Sequence, residues 1–312
     1  MLRLEIVGVL LLSCTQILSE NRDFYGSRKQ YGGHRGGFGN DRSHHGSRTR
    51  EIEVKYGRLR GMVVQPRADS SQLVDVFLGV PYAEPPVGPH RFEPPTTQTP
   101  WTGVRHFVSF APVCPQKPPQ LEEEVDPARH QYLERLLPFL QDQSEDCLYL
   151  NIYAPQILRL RGQRNNLEKF PVMVFIHGES YEWNSGNPYN GSVLAAYGNV
   201  VFVTVNFRLG ILGFLRPGKR DNTASNFGLL DQIAALAWLQ ENIGHFGGDP
   251  SSVTLVGHGT GAVFVNLLLL SPITDGMFKR AVLMSGSALN PDAIGKAPLQ
   301  ITEQVGVLRW GP

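Results

Sequence analysis

Hydrophobic and polar positions change rhythm along the chain. From Glu51 they alternate in short runs, Ile52–Tyr56, Leu59–Val64 and Asp75–Gly79, the period-two pattern of half-buried strands. Tyr56-Gly57-Arg58 carries a hairpin turn signal between the first two. Pro81–Pro100 holds Pro85, Pro86, Pro89, Pro94 and Pro95, which predicts irregular chain wrapped over the surface. Leu133, Leu136, Leu137 and Leu140 fall on one face of a helix across Ala128–Gln141, which Pro138 should kink or end early. Asp146–Tyr153 reads as a strand entered through Cys147, and Arg159–Lys169 as a charged surface loop.

After that loop the runs become more uniformly apolar. Pro171–Ile176 and Val200–Val205 have the composition of parallel strands covered on both faces. Val253–Val256 and Arg280–Met284 continue the series, with helices at Gly228–Ile243 and after Gly261. This alternation predicts an α/β sheet, antiparallel in its first strands and parallel in its middle. No internal repeat is visible.

Two N-terminal segments stand apart. Met1–Ser19 has Arg3, the apolar stretch Ile6–Leu12 and small or polar residues around Ser13 and Ser19, the pattern of a secretory signal peptide. Residues 20–50 form a Gly-rich lead-in, with Arg22, Arg28, Lys29, Arg35, Arg42, Arg48 and Arg50 against Asp23 and Asp41. So few apolar residues predict disorder. An RNA-binding reading of this stretch conflicts with secretion; contact with acidic surface polysaccharide is the alternative. Across 312 residues, 41% are hydrophobic, 18% are charged and the formal net charge is +1, so no general attraction to nucleic acid or membrane surfaces is expected. The runs Ile233–Leu239 and Ala262–Leu270 fall short of the ~20 residues that span a bilayer. The chain as written is expected in the secretory pathway and outside the cell. With Cys14 in the signal, Cys114 and Cys147 remain, an even pair that reads as one disulfide, against the alternative of two buried thiols.

The strongest chemical signal lies at Ser251–Asn266, where a β-branched strand meets a Gly-rich turn and then an apolar helix. A G-x-S-x-G esterase carries its nucleophile on such an elbow. Gly257 and Gly261 keep the frame, but Gly259 stands at the nucleophile position, so no acyl-enzyme can form there. A dinucleotide fingerprint over Gly257, Gly259 and Ala262 also fits by spacing, but the following strand ends in Ser285 without an acidic residue. His258 has no hydroxyl to deprotonate and reads as filling the elbow. Thr260 sits one residue past the apex and is a poor nucleophile there. Upstream, His177-Gly178-Glu179-Ser180 follows a strand where an H-G-G-G loop would donate N–H groups to an oxyanion; side chains on Glu179 and Ser180 weaken that site. Ser285 and Ser287 read as a turn. Asn190-Gly191-Ser192 is an N-glycosylation sequon. No metal site is expected.

Glu145–Tyr153, Phe227–Gln232 with Trp238-Leu239 and Asn242-Ile243, Phe246–Pro250 and Phe77–Ala83 together resemble the type-B carboxylesterase/cholinesterase family from about Glu51 to Leu289. The resemblance implies an α/β-hydrolase fold, a mixed sheet flanked by helices, of which residues 51–312 would be the N-terminal part. The family's first disulfide would fall on Cys114 and Cys147. Within the family, Ile176–Tyr189, Val205–Phe214 and Gly257–Gly261 are similar to neuroligins, its non-catalytic adhesion branch. That likeness implies a neurexin-like cell-surface partner, calcium at the contact, a homodimer for a full-length form, and a synaptic plasma-membrane location if that form carries a span. It implies no cofactor, nucleic acid or small-molecule substrate. The pattern fades near Asp292, and the later triad members and dimer helices would lie beyond Pro312. The expected function is catalytically inactive adhesion by a truncated form. The alternatives are a secreted carboxylesterase for small esters and an inert or decoy secreted fragment. Truncation would leave Leu267–Leu270 and Val282–Met284 facing water.

Overall fold

The computed structural model describes residues 48–67, 72–156, 169–216, 225–291, 293–295 and 300–304. The signal peptide at 1–19, the lead-in up to residue 47, the loop at Arg159–Lys169 except its last residue, and residues 305–312 lie outside the described residues. In chain order the strands are β1 Ile52–Val54, β2 Gly57–Arg60, β3 Met62–Val64, β4 Val74–Pro81, β5 Val104–His106, β6 Tyr149–Pro155, β7 Phe170–Ile176, β8 Val201–Val205, β9 Gly248–His258 and β10 Arg280–Met284. The helices are α1 Pro127–Leu136, α2 Ser192–Gly198, α3 Gly210–Phe214, α4 Phe227–Asn242 and α5 Thr260–Leu270.

Among the described residues, seven strands form one sheet in the order β10-β9-β7-β8-β6-β4-β3. Pairing is antiparallel from β3 through β4 and β6 to β8, then parallel through β7 and β9 to β10. The fold is therefore the mixed sheet flanked by helices that the alternation predicts. Period-two geometry sorts its side chains into two layers. Val172, Val174 and Ile176 join Val201, Val203 and Val205 on the face covered by α4 and α5, through Leu236, Leu239, Phe264 and Leu268. Phe175, Phe202, Tyr153 and Val256 occupy the other face under Ala195 and Ala196 of α2.

Several boundaries differ from the sequence expectation. Leu59–Val64 is not one strand: it breaks at Gly61, where a Cβ would overlap the Val76 carbonyl and the Phe77 ring. The missing side chain lets the chain leave β2, which pairs with β1 and β5 in a small second sheet, and enter β3 beside β4. The strand expected from Asp146 begins at Tyr149, after Cys147, which is joined to Cys114. α1 ends at Leu136 and a 3-10 turn carrying Pro138 follows over Leu137–Leu140. The residues expected to face water divide: Leu269, Leu270 and Leu283 are exposed, but Leu268 is fully buried and Val282 and Met284 pack partly against the α2-side core. Helical spacing explains it, because Phe264, Val265 and Leu268 share the stripe of α5 that meets the sheet.

One buried ion pair fixes the loop after β8. Arg208, 3% exposed, reaches Asp231, 0% exposed, through Nε to Oδ2 at 2.8 Å and Nη2 to Oδ1 at 2.7 Å. Its backbone N–H also donates to Oδ2 at 3.0 Å, and its Nη1 donates to the Glu93 carbonyl at 2.8 Å. Burial by itself pushes the Asp231 carboxyl up, and these guanidinium and backbone bonds oppose it. Asp231→Ala should leave the guanidinium buried and unpaired and lower unfolding stability by about 3–5 kcal/mol, read as a reduced urea midpoint. Pairing Arg208→Met with Asp231→Leu should recover much of that loss.

Candidate functional site

The elbow has the backbone of a nucleophile turn. β9 runs to His258, Gly259 takes φ 58° and ψ −123°, and α5 begins at Thr260. The Gly259 N–H donates to the Met284 carbonyl at 2.9 Å, tying the apex to the end of β10. Around it, backbone packs on backbone. A Cβ on Gly257 would overlap the Gly261 carbonyl, one on Gly261 the Ile176 carbonyl, one on Gly178 the His258 carbonyl, and one on Gly286 the Gly259 carbonyl. A Cβ on Gly259 would meet nothing within 4 Å. The position that lacks a nucleophile is thus the elbow glycine with open space in front of it.

Facing the elbow, the loop after β7 holds three successive residues at positive φ: Glu179 at 129°, Ser180 at 54° and Tyr181 at 65°. This is glycine-type backbone occupied by residues with side chains, at a cost of about 1–3 kcal/mol each that the surroundings must offset. The Glu179 N–H donates to Thr260 Oγ1 at 3.1 Å. Its carboxylate accepts from Arg129 Nη2 at 2.9 Å and from the Tyr132 hydroxyl at 3.2 Å. Arg129 also lies over the rings of Tyr132 and Trp183, at 5.0 and 5.4 Å from their centroids. Burial, reinforced by Tyr189 and Glu179, pushes the Tyr132 phenol far above its ordinary range, so it remains a donor. The oxyanion loop is thereby engaged on two sides. Its N–H is taken by Thr260, and its acidic side chain is held by α1.

That arrangement changes the expected reason for a weakened loop. The Glu179 side chain is bound to α1, and the N–H that an oxyanion would need already has an acceptor. Thr260, considered as a displaced nucleophile, supplies that acceptor. His258 is half-buried opposite Met284, and among the described residues no carboxylate bonds to it. Ser285, at φ 56°, and Ser287 lie in the turn after β10, where Asn266 Oδ1 accepts from the Ala288 N–H at 2.9 Å and the Ser287 hydroxyl at 3.3 Å. His177 lies fully beneath the loop, stacked on Phe207 with centroids 4.3 Å apart, its Nδ1 3.3 Å from the Gly178 carbonyl oxygen. Burial drives its pKa down to about 4.

Elsewhere, a cavity of about 820 Å³ is bordered by Arg91, Phe92, Glu145, Leu209, Ile211 and Leu212, and no elbow residue lines it. Asn190 is half-buried at the start of α2. Among the described residues, no group of three or more His, Cys, Asp or Glu is placed to hold a metal ion, and no helix is long and apolar enough to cross a membrane. Arg129 and Tyr132 escaped the sequence reading because nothing local ties them to a loop some fifty residues later; the unpaired acid at a glycine position was the available clue.

The carboxylesterase family profile matches residues 48–308. The chain is 44% identical to Neuroligin-2 of Mus musculus over 266 residues, covering 80% of this chain and 32% of that one. It is 43% identical to Neuroligin-3 of Mus musculus over 270 residues, with 80% and 32% covered. It is 42% identical to Neuroligin-1 of Caenorhabditis elegans over 267 residues, with 82% and 33% covered. The chain spans about a third of the length of the relatives it matches.

Two outcomes follow from this geometry. Gly259→Ser should fold with a strain cost of about 1–2 kcal/mol, whereas Gly261→Ala should lose about 3 kcal/mol or more by collision with the Ile176 carbonyl. Parallel denaturation of the two variants checks the order. His177 binds its proton less readily folded than unfolded, so its contribution is present above pH ~6.5 and is lost as pH falls toward 4. His177→Phe should therefore lose about 2 kcal/mol less than the parent between pH 7 and 4.5, measured by denaturation at both pH values.

Proposed function

This chain belongs to the carboxylesterase family, and from that premise we propose that it is a catalytically silent, neuroligin-like adhesion protein that binds a neurexin-like protein on an apposed cell. The observation that carries the reading is the elbow. Its strained turn and interlocked glycines are kept, yet position 259 offers no atom to attack a carbonyl. The engaged Glu179 N–H supports it independently, since a preorganised donor aimed at a developing oxyanion is usually a large catalytic contribution. What remains is a rigid scaffold whose value lies in its surface.

The Cys114–Cys147 disulfide supports an oxidising compartment, in keeping with passage through the secretory pathway and display outside the cell. Residues 1–19 as signal peptide, 20–50 as lead-in and 51–312 as hydrolase-fold domain form the organisation we favour. Calcium at the partner contact is implied by the neuroligin likeness; among the described residues no group of three or more His, Cys, Asp or Glu is placed to hold the ion.

Two assays on the secreted chain test the proposal. A fluorophosphonate probe should leave the protein unlabelled, and an adduct would establish the competing reading of an esterase for small esters. Immobilised neurexin ectodomain should capture the chain reversibly in calcium buffer and release it in chelator. Absence of capture under both conditions would sink the adhesion reading for this chain in favour of an inert fragment.

A further inference from the structure

We propose that Asn190 carries an N-linked glycan and that this glycan shields the outer surface of α2. Asn190-Gly191-Ser192 is the one Asn-x-Ser/Thr triplet in the 312 residues. Asn190 is half-buried at the mouth of α2, and its Oδ1 accepts the Ser192 N–H at 2.9 Å. That bond occupies the oxygen and leaves Nδ2, the atom that bears the sugar, without a partner among the described residues. The turn is fixed from below, because Gly191 lies against the Phe202 ring so closely that a Cβ there would overlap it. Asn190 is thereby held at the rim while the chain dives into the core.

The same packing sets the order of events. Ser192, whose hydroxyl completes the acceptor triplet, is 3% exposed once α2 lies on the sheet beside the buried Ala195 and Ala196. A transferase can read that hydroxyl before α2 packs and not afterwards. The modification is therefore made on the nascent chain. Asn190 Nδ2 forms a bond to the anomeric carbon of a lipid-pyrophosphate-linked oligosaccharide, the carbon–oxygen bond to the pyrophosphate breaks with its electron pair, and Nδ2 gives up one proton to the transferase. Secretory routing, which the inference shares with the functional reading, rests here on the Cys114–Cys147 disulfide.

α2 spans seven residues, about 10 Å of helix, and carries Tyr197, 56% exposed, one residue before its end at Gly198. A branched sugar rooted at the helix start covers that length, which turns the α2 surface to solvent and leaves partner contacts to other faces.

The full chain, expressed in secretory eukaryotic cells, should shift by one glycan step on peptide-N-glycosidase treatment. Asn190→Gln and Ser192→Ala should migrate untreated where the digested parent does, and Ser192→Thr should keep the shift. Because attachment precedes folding, the shift is read in cell lysate as well as medium, so a retained variant still reports. A parent chain that does not shift in either fraction overturns the site. Hydroxyl-radical oxidation of Tyr197 should be several-fold faster in Asn190→Gln than in the parent. Equal rates in a glycosylated parent would overturn the shielding.

Discussion

The structure depends on backbone meeting backbone at one point. Gly257 and Gly261 touch each other across the turn, Gly261 rests on the Ile176 carbonyl, Gly178 on the His258 carbonyl, and Gly286 on the Gly259 carbonyl. Through these contacts the C-terminal ends of β7, β9 and β10 and the start of α5 share one close-packed knot. No side chain can enter it without moving a strand, so the knot constrains the sheet whether or not chemistry takes place there. That separates two roles which a catalytic elbow combines. The interlocked glycines serve architecture, and the apex residue alone serves reaction. Loss of the second need not disturb the first, because the apex faces open space.

The opposing loop is fixed in a compatible way. Residues with side chains at three positive-φ positions are costly unless something fixes them. Thr260 holds the Glu179 N–H, and Arg129 with Tyr132 holds its carboxylate. α1 belongs to the segment between Cys114 and Cys147, so the disulfide-bounded loop is pinned to the loop after β7 at its middle and closed by the disulfide at its ends. A half-buried ion pair with a second donor and two aromatic faces is a better anchor than an exposed pair, since water competes less well for its charges. The loop after β7 is thereby a structural joint between the elbow and α1.

How much of this could be read from the sequence follows from the range of each interaction. The central strands β7 and β8 were legible because two-sided burial writes itself as contiguous apolar runs, and β8 is buried at all five positions, whereas β10 at the sheet edge shows an apolar run with no fully buried residue. The elbow was legible because its spacing is local. Helical segments were expected between and after these strands, but α2 and α3 could not be bounded: seven and five residues are too few to show a helical period, and both lie between strong strand signals. The break at Gly61 was missed because it answers a carbonyl of β4, far along the chain. Arg129, Tyr132 and the Arg208–Asp231 pair were missed for the same reason. Charged residues separated by tens of positions carry no local signature of meeting.

Those distant pairs share a further property. Arg208 with Asp231 and Arg129 with Glu179 each join a loop that follows a central parallel strand to a helix elsewhere in the fold, and Arg91 with Glu145 joins the connection after β4 to the one before β6. In α/β sheets this is the rim where loops ordinarily carry function and keep some freedom. Here the rim loops are tied by bidentate or ring-covered guanidinium groups, which resist a change of geometry better than a single hydrogen bond would. A lid that opens for substrate would have to break such bonds on every cycle, whereas a recognition surface gains from never breaking them, because rigidity lowers the entropy lost on binding. The ion pairs around the elbow thus point the same way as the glycine at position 259, toward a fold kept for its shape.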